Sequence, residues 1–144
     1  MSLAQRGLVH QPLLNEIIIG DNSTASLNGK IISVRRDTQL IQATLLTTDY
    51  ATIPNLERFT QLTKQVKQVR TWGNCYGHVM VALGYADIMI DPIMKFWDIA
   101  GIIPIIKGAG GVVSDYNGKN PINSSSLISC GSLFLQKAVL EYLS

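Results

Sequence analysis

The chain has 144 residues, 47% hydrophobic and only 15% charged, with a net charge of +2. That length suffices for one domain with a real core, and charge so far below the usual quarter implies that much of the chain is buried. No basic run exceeds Arg35-Arg36, which leaves no electrostatic footprint for nucleic acid, and no apolar run reaches the ~18 residues of a membrane-spanning helix.

Lys64, Lys67 and Arg70 could line one side of a helix, where solvated charge is the ordinary state. Cys75 and Cys130 are far apart and show no CxxC spacing. Two such thiols make no disulfide framework, and a reducing cytoplasm fits them. The first residues carry no signal-peptide pattern, and Met1-Ser2-Leu3 is compatible with an appended start.

In chain order, Gly7–His10 reads as the tail of a strand, Gln11-Pro12 and Asn15 as turn residues, and Glu16–Gly20 as a second strand. Asp21-Asn22-Ser23 turn the chain. Ala25–Leu27 and Lys30–Val34 flank Asn28-Gly29, a dipeptide that favours a type I′ hairpin turn. The pattern changes after Arg35-Arg36-Asp37. Strands are expected at Ala43–Thr48, Val69–Trp72, Ala86–Asp91, Val112–Asp115 and Leu127–Gly131. Helices are expected from about Leu56 to Val66 behind an Asn55 cap, from Cys75 to Leu83 ahead of Gly84, and from Ser132 to Leu143. Asn120–Ser126 is a polar loop. Alternating strands and helices argue for an α/β layer on a parallel or mixed sheet, preceded by antiparallel hairpin strands.

The chain is organised around Asp91–Asp115, DPIMKFWDIAGIIPIIKGAGGVVSD. A strand ends at Asp91. A helix opens at Trp97-Asp98, buries Ile99, Ile102, Ile103 and Ile106, contains Pro104, and stops at Gly108–Gly111. Asp91 and Asp98 stand seven residues apart near the mouth of this unit. An Asp at a helix start is most often a cap for the free N–H groups of the first turn. An acid at the end of a buried strand is harder to explain as structure, because ligands bind at strand ends in open α/β sheets.

Other motifs carry less. Gly108-Ala109-Gly110-Gly111 closes a helix and opens a strand, the reverse of a dinucleotide fingerprint. His10 and His78 lack metal-ligand spacing, and His78 reads as a packed histidine. No GxSxG elbow occurs, and Ser124-Ser125-Ser126 has no paired base. Cys75 could act as a nucleophile only with a histidine beside it; burial is the commoner fate. What remains is carboxylates, Asp91, Asp98 and Asp115. Hard oxygen ligands without His or Cys suit Mg²⁺. One helix-start Asp cannot make a catalytic metal site alone.

Trp97-Asp98-Ile99-Ala100, followed by Gly108-Ala109-Gly110-Gly111-Val112-Val113-Ser114-Asp115, resembles the WDxA…EAGGxxxD signature of the inositol monophosphatase superfamily. The nearest subfamily likeness is to histidinol-phosphatases of that type, through Ala43–Asp49, Gly73-Asn74-Cys75-Tyr76 and Ile103-Pro104-Ile105-Ile106. The resemblance implies a layered αβαβα fold and a Mg²⁺-dependent hydrolase of small phosphate monoesters. Histidinol phosphate is the first candidate and an inositol or other polyol phosphate the second. It makes Asp98 a metal ligand. It places Asp91 where relatives carry a substrate-contacting Glu, and Gly73, Asn74 and Cys75 on the loop lining the same pocket.

Two substitutions bear on substrate. The histidinol-phosphatase pattern has GDCY where this chain has Gly73-Asn74-Cys75-Tyr76, and the family Glu is shortened to Asp91. The family's GEE-like and DPxDGT motifs, which bring the other metal ligands, do not occur in these residues. The chain therefore resembles a C-terminal half, with residues 1–36 as end strands of the first sheet and 37–144 as the α/β domain. Alone it is expected to be inactive, and to form a homo-oligomer such as a dimer through uncovered hairpin residues, among them Val9, Ile17 and Ile19. The reading from a different class is a non-catalytic fragment that acts only by association.

Overall fold

The computed structural model describes residues 4–144, with Asn74 described by its backbone alone; residues 1–3, read above as an appended start, lie outside the described residues. Four strands, β1 Gly7–Gln11, β2 Glu16–Gly20, β3 Ala25–Leu27 and β4 Lys30–Ile31, form an antiparallel sheet in sequence order. Turn chemistry sets its register. Asn28 and Gly29 both take positive φ, 48° and 81°, as a type I′ turn requires. The Asn28 side chain accepts from Ile17 N at 2.8 Å and donates to Asn15 O at 2.9 Å, tying two turns together. The return strand was expected to reach Val34 but ends at Ile31. Val34 N instead donates to Ala109 O at 3.0 Å, so the chain leaves the sheet to seal against the end of a helix.

The second sheet contains β5 Thr44–Thr47, β6 Gln68–Thr71, β7 Ile88–Asp91, β8 Val112–Ser114 and β9 Leu127–Cys130, in the order β6-β5-β7-β9-β8. β5 is parallel to β6 and β7, and β9 is antiparallel to β7 and β8. Four helices accompany it: α1 Leu56–Thr63, α2 Asn74–Ala82, α3 Phe96–Gly108 and α4 Leu133–Leu143. The caps expected from sequence form, since Asn55 accepts from Arg58 N and Ser132 from Leu135 N. α1 ends at Thr63 rather than Val66, because Lys67 N already donates to Ala43 O on the way into β6. Lys64, Lys67 and Arg70 therefore sit on a helix cap, a turn and a strand, not along one helix side.

Strand alternation splits the core in two. Leu46, Met89 and Leu127 face α2 and α3, whereas Leu45, Ile88, Ile90 and Ile128 face α1 and α4 with Phe59, Leu62, Leu135 and Val139. α3 is apolar nearly all round because it lies between the two sheets, with Ile99, Ile102, Ile103, Ile105 and Ile106 all buried. The approach is close: a Cβ at Gly7 would stand 1.8 Å from the Gly101 carbonyl oxygen. α3 runs on through Pro104 to Gly108. The architecture is a layered α/β fold with the hairpin sheet in front, as the sequence implied. Val9 departs from expectation. It packs inward against the α3 core, and the outer face carries Leu8, Ile17, Ile19 and Ile31.

Candidate active site

Because β5, β6 and β7 are parallel, their carboxyl ends meet at one edge of the sheet. β5 exits toward α1 on one face, and β7 exits toward α3 on the other. Adjacent strands that exit to opposite faces leave a crevice at their carboxyl ends, the usual ligand position in such sheets. Thr48 follows β5 there, and Asp91 closes β7.

The Thr48 hydroxyl donates to Asp91 Oδ2 at 2.9 Å, and Ile93 N makes only a long contact of 3.4 Å to Oδ1. Asp91 is buried at 5% exposure. That burial pushes its carboxyl above the usual range; the Thr48 and Ile93 bonds oppose the shift, and the charge of Asp98 adds to it.

Asp98 stands in the first turn of α3 and is exposed. It is not the cap that its position in the sequence suggested. Lys95 occupies the N-cap with extended backbone, and the Asp98 carboxylate makes no hydrogen bond among the described residues. The sequence pattern places the helix start one residue late, so Asp98 falls third in the helix. Its carboxylate is left free for another partner.

Asp91 and Asp98 line one cleft of about 380 Å³ with Cys75, Ile93 and Met94. An adjoining hollow of about 240 Å³ shares Cys75 and Asp98 and adds His10, Trp97 and Gly101. A separate hollow of about 370 Å³, lined by Asn22, Lys107 and Asn120 among others, shares no residue with the cleft.

Cys75 is half-buried, and its thiol is pushed up by burial first and by Asp98 second. Such a thiol holds little thiolate at neutral pH, which counts against a nucleophile. His78 cannot activate it, being fully buried with Nδ1 2.8 Å from Ser129 Oγ. Gly73 is the exposed, extended N-cap of α2, with open space where a Cβ would stand, and Asn74 begins the helix. Asp115 is removed from the candidates, because its carboxylate accepts from Asn117 N and Lys119 N at 2.8 Å each and caps its own turn.

Two neighbours of Asp91 escaped sequence reasoning. Thr48 stood in the expected strand Ala43–Thr48 and in the Ala43–Asp49 likeness, neither of which gave it a role in the site. Tyr116, just past the end of the expected strand Val112–Asp115, had no signal that set it apart. Its hydroxyl is buried without a hydrogen-bond partner among the described residues, and burial together with the charge of Asp91 pushes it up to about 12. Among the described residues no three His, Cys, Asp or Glu side chains gather as a metal site. The free oxygens of Asp98 suit Mg²⁺ as one donor of a hard-cation site, and no more than one.

Comparison with known proteins bears on this geometry. The sequence profile of the Inositol monophosphatase family matches residues 3–144. The chain is 34% identical over 133 residues to a histidinol-phosphatase of Chlorobaculum parvum, covering 89% of this chain and 51% of that protein. It is 35% identical over 153 residues to the chloroplastic bifunctional phosphatase IMPL2 of Arabidopsis thaliana, covering 95% of this chain and 43% of that one. Among solved structures, an inositol monophosphatase from Zymomonas mobilis superposes with a TM-score of 0.86 at 27% identity, over 94% of this chain and 56% of that one. The chain thus spans about half the length of the relatives it matches.

Proposed function

Since the chain belongs to the inositol monophosphatase family, we propose that the full-length protein is a Mg²⁺-dependent phosphomonoesterase whose first candidate substrate is histidinol phosphate. The observation that carries this reading is the pair in the cleft. A free carboxylate at Asp98 faces the same space as a buried, hydrogen-bonded one at Asp91. The similarity to histidinol-phosphatase and to the bifunctional phosphatase supports the substrate class.

In this proposal Asp98 is one ligand of the cation. When bound, Mg²⁺ supplies Lewis-acid polarisation of the phosphoryl group. The residues of this chain do the rest of what can be assigned here. Asp98 offers carboxyl oxygens unencumbered by hydrogen bonds among the described residues. Asp91, Gly73, Asn74 and Cys75 hold the alcohol part of the ester, with the oxygens of Asp91 accepting from its hydroxyl or ammonium groups. Orientation of that alcohol relative to the phosphoryl group is their contribution to the rate.

An inositol or other polyol phosphate is the second reading, favoured by Asn74 where the histidinol-phosphatase pattern has an acid and by the likeness to the Zymomonas mobilis enzyme. The non-catalytic reading rests on the lack of three clustered metal ligands among the described residues. Phosphate release from histidinol phosphate and inositol phosphate, with millimolar Mg²⁺, separates the three. Asp98→Asn is expected to abolish turnover of both esters. Turnover that survives Asp98→Asn would refute the assignment of the metal ligand.

A further inference from the structure

The parallel register pairs Thr47 with Ile90, so the next step sets Thr48 beside Asp91. Thr47 and Ile90 point to the α1 and α4 face; Thr48 and Asp91 therefore point to the α2 and α3 face, where Cys75 also lies. The hydroxyl of Thr48 takes Asp91 Oδ2 at 2.9 Å. Ile93 N, at 3.4 Å, leaves most of the acceptor capacity of Oδ1 unused. Asp91 lines the cleft. A buried carboxylate with one oxygen satisfied and one open gains from a donor brought by a ligand, and a charged donor compensates most of the lost hydration.

We infer that Thr48 is a positioning residue of this site: its hydroxyl fixes the rotation of Asp91 so that Oδ1 is offered to the cleft, which selects esters whose alcohol part carries an N–H or O–H donor. The inference rests on the phosphatase reading above and adds to it the residue that orients the selecting group. Val is close to Thr in shape but has no hydroxyl, whereas Ser keeps the hydroxyl and loses the methyl.

Two measurements test it. In the 144-residue chain, carboxyl-detected NMR follows the titration of Asp91. Thr48→Val is expected to move the midpoint upward by roughly half a unit or more, because a bond to the charged form is lost; Thr48→Ser is expected to restore it. In the full-length protein, Thr48→Val should raise KM for an ammonium-bearing ester, histidinol phosphate, about tenfold more than KM for a plain alkyl phosphate, again with rescue by Ser. An unmoved Asp91 midpoint in a folded Thr48→Val chain overturns the positioning role. Equal KM changes for both esters, or no rescue by Ser, overturn the selection. If the wild-type protein hydrolyses neither ester, the phosphatase reading falls and takes the selection with it, while the NMR arm still reports whether Thr48 orients Asp91.

Discussion

Arg35 Nη2 lies 2.6 Å from Asp87 Oδ2, just before β7 begins and therefore at the opposite end of that strand from Asp91. The same Asp87 oxygen accepts from Thr44 N at 2.8 Å. Asp87 is fully buried, and the Arg35 side chain is about half in solvent. The pair ties the segment between the two sheets to the start of β5 and β7. It belongs to the scaffold, remote along the strand from the cleft. Arg35→Met is expected to cost about 1–3 kcal/mol, less than a wholly buried pair because water still reaches the guanidinium. Urea unfolding with an unchanged m-value is the check.

The thiol of Cys75 reports on Asp98. The Asp98 charge helps to raise the Cys75 thiol, so removing that charge increases thiolate and speeds alkylation. Asp98→Asn is expected to accelerate iodoacetamide labelling of Cys75 near pH 8. If Asp98 binds Mg²⁺, millimolar Mg²⁺ should accelerate labelling of the wild-type chain and leave Asp98→Asn unaffected. Cys130, fully buried and with its thiol also raised, should remain unlabelled in the native state.

His78 sets an acid limit on stability. Burial lowers its pKa from 6.5 to about 3, and Nε2 has no hydrogen-bond partner among the described residues. The unfolded chain therefore binds a proton below about pH 6.5 that the folded chain refuses until about pH 3. The contribution is full above that window and is lost as pH falls through it, by up to about 1.4 kcal/mol per unit. His78→Gln should flatten this part of the stability profile. A mutant slope equal to the wild-type slope between pH 6 and pH 4 would show that another group is responsible.

The first sheet presents a row formed by Leu8, Ile19, Ser26 and Ile31, in register across its four strands. Leu8 is 59%, Ile19 44% and Ile31 73% exposed. Uncovered apolar rows of this kind recruit another surface. The 144-residue chain is expected to self-associate with rising concentration, and Ile19→Lys with Ile31→Lys to return it to monomer. Light scattering that shows a clean monomer of the wild-type chain at high concentration counts against this.

Turnover by the 144 residues alone is expected to be absent, because Asp98 is the one position that matches a family metal ligand and no triple of ligating side chains forms among the described residues. Magnesium-dependent phosphate release from histidinol phosphate by this chain, lost in Asp98→Asn, would contradict that expectation. In the full-length protein, Asp91→Asn should reorder substrates, by roughly 1–3 kcal/mol for a lost charged hydrogen bond. Equal slowing of every ester would remove Asp91 from the specificity residues.

By itself the sequence determined what depends on near neighbours. Asn28-Gly29 dictated a turn with two positive φ values, Asn55 and Ser132 dictated helix starts, and Ile99, Ile102, Ile103 and Ile106 dictated a helix that buries them. These are effects of local sterics, capping and periodicity, and they act within a few residues. Tertiary structure alone decided which acids share a space. Asp115 carries the same side chain as Asp98, yet its own loop N–H groups consume it. Thr48 reaches Asp91 across 43 residues of chain, because a parallel register between β5 and β7 sets them side by side. The lone position of Asp98, three residues past the N-cap of α3, followed from where Lys95 turned extended. Hydrogen-bond partners at long range are fixed by packing of strands and helices, which no spacing along the chain encodes.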